Sequence, residues 1–242
     1  MDWIYYIPLA TFTVSVVFSF ILFKHYLQKT SATYILWWFI GVLTYGAGTL
    51  TESINTVIGW SELNFRWWYI TGALLGGAPL AQGTVYLILK KSHAHILTSL
   101  LVITVLIASY FVLKSPINFD LVEKERMSGS VFQWQWVRRF SPFINIYAVL
   151  FLVGGAIYSA LKYWKSNGSS KRFWGNLLIA IGAILPGIGG SFTRFGYVEV
   201  LYVTEFTGLV MIIWAYSIMK TDQSITVHDA QKADSSTTSS ND

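Results

Sequence analysis

The stretch "HILTSLLVITVLIASYFVL", His95 to Leu113, holds no Asp, Glu, Lys or Arg and no glycine. At about 1.5 Å of rise per residue, a helix over it is about 28 Å long, close to the roughly 30 Å hydrocarbon core of a bilayer. It lacks the glycines that let helix backbones approach each other in lipid. It is therefore expected to cross the membrane at the periphery of a bundle.

Comparable apolar runs extend to both sides, over residues 4–23, 34–57, 67–89, 142–161, 173–194 and 200–219. With the first stretch they predict an all-α integral membrane protein, a bundle of seven transmembrane helices over residues 1–220. Composition agrees: 54% of the 242 residues are hydrophobic and 12% are charged, about half the charged share of an ordinary soluble domain. "MDWIYYIP" precedes the first run without a basic segment, so that run is expected to be a retained helix and not a cleaved signal. Cysteine is absent, which excludes disulfides, thiolate metal sites and cysteine nucleophiles.

The formal charge is +5, but its carriers sit at helix ends, as the positive-inside rule places them, and form no nucleic-acid patch. Lys24 and Lys29 follow the first run, Lys90 and Lys91 the third, Lys162, Lys165, Lys171 and Arg172 the fifth, and Lys220 the seventh. This asymmetry predicts the N-terminus outside and the C-terminus in the cytoplasm, with the cell membrane as the expected location. Trp60, Trp67, Trp68, Trp134 and Trp136 cluster at one set of run ends and Trp37, Trp38, Trp164 and Trp174 at the other, as interfacial belts do. Residues 221–242 are almost devoid of apolar side chains and are expected to form a disordered cytoplasmic tail.

Glycine stripes identify interior helices: Gly41, Tyr45, Gly48, Glu52 and Asn55 in the second run, Gly182, Pro186 and Gly189 in the sixth. "IGVLTYGAG" from Ile40 and "IGAILPGIG" from Ile181 share Ile-Gly and Gly-x-Gly at the same offsets. They suggest a parallel 3+1+3 repeat. Pro79 and Pro186 are expected to make their helices irregular.

Glu205 interrupts "LYVTEFTGLVMIIW", and the helical rise puts it at the depth of Glu52, Asn55, Arg66, Asn145 and Arg194. Carboxylates inside a membrane are expensive and face a partner, a cavity or water. Two readings follow: a buried glutamate–arginine network that fixes packing, or an outward pocket for a small polar or charged ligand. Gln82, deeper in the third run, is expected to hydrogen-bond between helices.

The four histidines, His25, His93, His95 and His228, lie at helix ends or in the tail, so a bis-histidine haem has no holders in the bundle. The seventh run contains no lysine, which excludes a covalent retinal. No hydrolase elbow, metallo-hydrolase motif or phosphate loop is present. The sequence thus favours a non-catalytic, ligand-binding, sensory or accessory membrane protein that needs no cofactor and signals through a separate partner. The alternative is a small proton- or ion-coupled transporter with Glu52 and Glu205 in its path; an intramembrane enzyme ranks lower.

Overall fold

In lipid every backbone N–H and C=O must be paired within the segment, and an apolar run achieves this as a helix. The computed structural model describes residues 3–123, 126–166 and 168–238. Its helices are α1 Ile7–Gln28, α2 Thr33–Ile58, α3 Glu62–Trp68, α4 Ala78–Ile88, α5 Lys91–Lys114, α6 Phe140–Ala148, α7 Gly154–Lys165, α8 Ser170–Phe192 and α9 Val198–Thr238. Among the described residues no strand forms, beyond the isolated bridge pair Ile117 and Phe132. Five helical stretches are long and apolar enough to cross a bilayer: Trp3–Gln28, Lys91–Lys114, Gln135–Lys165, Ser170–Phe195 and Val198–Asp222. They mark an integral membrane protein.

The second and third expected runs take a different form. α2 has 26 residues, but its C-terminal half buries Thr49, Thr51, Glu52, Ser53 and Asn55, so it is a polar interior helix. The third run does not stay whole. A π-helical segment, Tyr69–Leu74, follows α3, and the helix is interrupted before α4, which has Pro79 in its first turn. Proline offers no N–H and its ring displaces the carbonyl four residues earlier; upstream, the Leu75 N–H donates to the Ile70 carbonyl at 3.0 Å, five residues back. The fifth run contains a second π segment, Val149–Val153, between α6 and α7. Pro186, by contrast, sits inside an unbroken α8.

The most extensive packing joins α8 to α9, followed by α1 with α2. α5 buries only Ala94, Leu101, Ala108 and Val112 along its length, in keeping with its expected peripheral place. The connection after α5 folds back over one end of the bundle. There Phe132 packs on Phe65 and Tyr69, with ring centroids 5.0 and 4.9 Å away. α9 runs to Thr238, beyond residue 220; residues 239–242 of the expected tail lie outside the described residues.

Arg66 anchors this end. Its residue is 8% exposed, and its guanidinium donates to the Val112 carbonyl, to the Ser115 carbonyl at 2.9 Å and to Glu62 Oε1 at 2.6 Å. It thereby satisfies carbonyls that the end of α5 leaves open. Arg66→Met should lower stability by about 1.5–3 kcal/mol, since bonds from a charged donor to buried carbonyls disappear. Glu62→Gln, at the exposed side of the pair, should cost under about 1 kcal/mol. Thermal unfolding in detergent measures both, and equal losses would refute the capping role.

Candidate functional site

A cavity of about 480 Å³ opens at the end of the bundle where α2 finishes and α9 begins. α2 contributes Tyr45, Thr49, Glu52 and Asn55 at helical spacing, and α9 contributes Leu201, Tyr202, Glu205 and Gly208. Gly196, at φ +92°, supplies the left-handed turn that reverses the chain between α8 and α9. α8 adds Gly187 and Gly190, the turn after α8 adds Arg194, α6 adds Ser141 and Asn145, and the α5–α6 connection adds Arg126 and Arg138.

The residue positions expected from sequence are therefore largely gathered: Glu52, Asn55, Asn145, Arg194 and Glu205 line one cavity. Arg66 is not among its lining residues, because its guanidinium is committed to α5 and Glu62. Among the described residues, the salt bridges are Glu62–Arg66, Glu123–Arg126 and Arg172–Asp222; none of them involves Glu52, Glu205 or Arg194. Arg194 is exposed at the cavity rim. Glu199, at the start of α9, accepts a 2.8 Å hydrogen bond from the Tyr5 hydroxyl.

Glu52 is 5% exposed. Its Oε1 accepts a 3.1 Å hydrogen bond from Trp68 Nε1, and its carboxyl neighbours that of Glu205 closely enough to interact. Glu52 Oε2 and Glu205 Oε2 are both buried without a hydrogen-bond partner. So is Arg126 Nε, although that guanidinium donates through Nη1 to the Thr193 carbonyl at 2.9 Å and through Nη2 to Glu123. Three buried polar atoms with unused capacity thus surround one cavity, two acidic oxygens and one cationic donor. Buried polar atoms are satisfied in the great majority of cases, so such a cluster calls for an explanation.

Compared with known protein families, characterised proteins and solved structures, the chain matches none. The site has to be understood from its own chemistry.

Sequence reasoning overlooked several participants. Tyr45 stood on the α2 stripe, and its hydroxyl donates to the Glu205 main-chain carbonyl at 3.0 Å, tying α2 to α9. Tyr202 lies one turn before Glu205, a signal that i, i+3 spacing carries. Trp68, whose position in the sequence fits an interfacial belt, instead donates to Glu52 Oε1. Arg126 lies in an irregular connection whose path no periodicity encodes. Asn145 is fixed by the π segment: it and Ser141 donate to the Ala73 carbonyl at 3.2 and 2.9 Å, a group that regular α-helix would have kept to itself.

Gln82 does connect helices, as expected. It is fully buried, donates to the Ala94 carbonyl and to Thr98 Oγ1 of α5 at 3.2 and 2.7 Å, and accepts from the Tyr147 hydroxyl of α6. Among the described residues no group of three His, Asp or Glu side chains gathers as a metal site.

Proposed function

We propose that this protein is a non-catalytic, ligand-binding membrane protein whose cavity receives a small solute carrying both a cationic and an anionic group. The observation that carries the reading is the set of unsatisfied atoms around one space: Glu52 Oε2 and Glu205 Oε2 on one side, Arg126 Nε on another. Two adjoining carboxyls without a guanidinium between them suit an ammonium group, which donates three hydrogen bonds. Arg126, with Arg138 and Arg194 at the rim, suits a carboxylate or comparable anion. The chain crosses the cell membrane seven times, with α2 and the α3–α4 unit as the second and third crossings, so that the cavity faces outward. α2 is long enough, at 26 residues, and the lysines at the opposite end support that orientation. A response to the ligand is passed to a separate partner protein.

Calorimetric titration of the detergent-purified protein with free amino acids, the matching amines and the matching carboxylic acids tests this. Amino acids should bind at least tenfold more tightly than either truncated series. Binding of the acids as strong as that of the amino acids would remove the carboxyl pair from the site.

One observation favours transport as the second reading. A further cavity enters from the lysine-rich end, and the two share Val42, Leu80, Leu152 and Ile212. One apolar layer separates them. Gln82 lines neither cavity, so a path, if used, runs through that layer and not past Gln82. Uptake of the bound amino acid into proteoliposomes, abolished by Leu152→Trp, would establish transport.

A further inference from the structure

The cavity at the lysine-rich end has a volume of about 390 Å³ and a composition opposite to that of the first. Among the described residues, its charged lining consists of Lys162, Arg172 and Lys220, with His25 beside them and no Asp or Glu. Its deeper part is apolar, bounded by Phe18, Leu22, Leu152, Ile179 and Ile212. Cations at the mouth and hydrocarbon beyond form a gradient along one space.

Local structure holds the cations there. Arg172 Nη1 donates to the Tyr163 hydroxyl at 3.1 Å, and its carbon lies 5.6 Å from the Tyr163 ring centroid. Arg172 Nε donates to Asp222 Oδ2 at 3.1 Å. Lys220 lies 6.0 Å from the Tyr216 ring centroid, and the Tyr216 hydroxyl is 2.8 Å from His25 Nδ1. Among the described residues, Lys162 and Lys220 take part in no salt bridge. Asp222 is salt-bridged to Arg172. Three cations at one mouth, with a single salt bridge to a carboxylate among the described residues, are suited to a phosphate.

We propose that this cavity binds one anionic phospholipid, its phosphate at Lys162, Arg172 and Lys220 and an acyl chain in the apolar part between α1, α7, α8 and α9. Basic pockets between transmembrane helices bind acidic headgroups on the positively charged side of membrane proteins. The apolar depth distinguishes a lipid from a free anion, which would gain nothing from Phe18, Leu22 and Ile212. The inference is independent of the ligand assigned to the other cavity, with which this one shares only its apolar floor.

The test uses the full chain in a non-ionic detergent and three probes: dihexanoyl phosphatidylglycerol, dihexanoyl phosphatidylcholine and inorganic phosphate. Titration monitored by thermal shift should show phosphatidylglycerol binding at least tenfold more tightly than either of the others. Lys162→Gln with Lys220→Gln, both at exposed positions, should weaken that binding at least tenfold while leaving the unliganded melting temperature unchanged. Phosphatidylcholine binding as tightly as phosphatidylglycerol would overturn the proposal as general lipid solvation. Phosphate binding as tightly as phosphatidylglycerol would overturn it as an anion site without a tail. If the double variant does not fold, the ranking of the three probes on the unaltered chain decides the matter.

Discussion

Gly208→Ala should lower the melting temperature substantially, because the added methyl group meets the backbone of α8. A Cβ at Gly208 would stand 2.4 Å from the Gly182 carbonyl oxygen and 3.3 Å from Pro186 Cδ. Neither is the end of a flexible side chain, so the two helices have to separate. The closeness has a chemical origin in α8. Pro186 has no N–H for the carbonyl four residues before it, which is that of Gly182, and its ring turns that carbonyl outward. Gly208 on α9 is the surface it meets, and a Cα–H group there is a weak donor to such an oxygen. Overpacking costs about 1–3 kcal/mol and occasionally more; with backbone on one side of the clash, about 3 kcal/mol is expected. For a chain of this size that is a fall of roughly 6–12 °C. Gly187→Ala is the matched control, because a Cβ there meets nothing within 4 Å, and its better helix propensity should leave stability level or raised by up to about 1 kcal/mol. Equal shifts in the two variants would refute the α8–α9 contact.

This pair also shows what the sequence made legible. The glycine stripe of the sixth run marked an interior face, and Pro186 stood out as an irregularity, but a one-dimensional pattern cannot say whether a proline breaks its helix. Pro79 does coincide with a break and Pro186 does not, because Gly208 gives the displaced carbonyl of the latter a place to go. The membrane character and helix positions were readable because hydropathy over about 20 residues is a local property. The π segments at Tyr69–Leu74 and Val149–Val153 were not readable, since they depend on what the neighbouring helices offer to the freed carbonyls. The polar layer was half readable. Helical rise gives depth, so Glu52 and Glu205 could be set at one level; it does not give azimuth, so nothing in the sequence revealed that Arg66 turns toward Val112 and Ser115 and away from the cavity. Arg126 was hidden for another reason: its approach to Thr193 comes from the tertiary course of a connection.

The side to which Arg66 turns changes what Glu205→Gln and Glu52→Gln should do. Were either carboxylate the buried partner of an arginine, its amide would strand a guanidinium and cost about 3–5 kcal/mol. Neither takes part in a salt bridge among the described residues, so no cation is left behind. An amide has nearly the same volume and can accept from Trp68 as the carboxyl of Glu52 does. Each variant should therefore melt within about 1 kcal/mol of the parent, because an amide of nearly the same size replaces a carboxyl whose Oε2 already lacks a hydrogen-bond partner. Binding should move the other way. Loss of a hydrogen bond between charged groups removes about 1.5–3 kcal/mol, which is roughly a 10- to 150-fold weaker affinity for the amino-acid ligand. The double variant should lose less than the sum, since the two carboxyls serve one ammonium group and are coupled. Calorimetric titration and thermal unfolding on the same samples separate the possibilities. Unfolding at lower temperature with unchanged affinity would return the two glutamates to a purely structural role, whereas stability retained with affinity lost is the result expected if the unsatisfied oxygens are where the ligand binds.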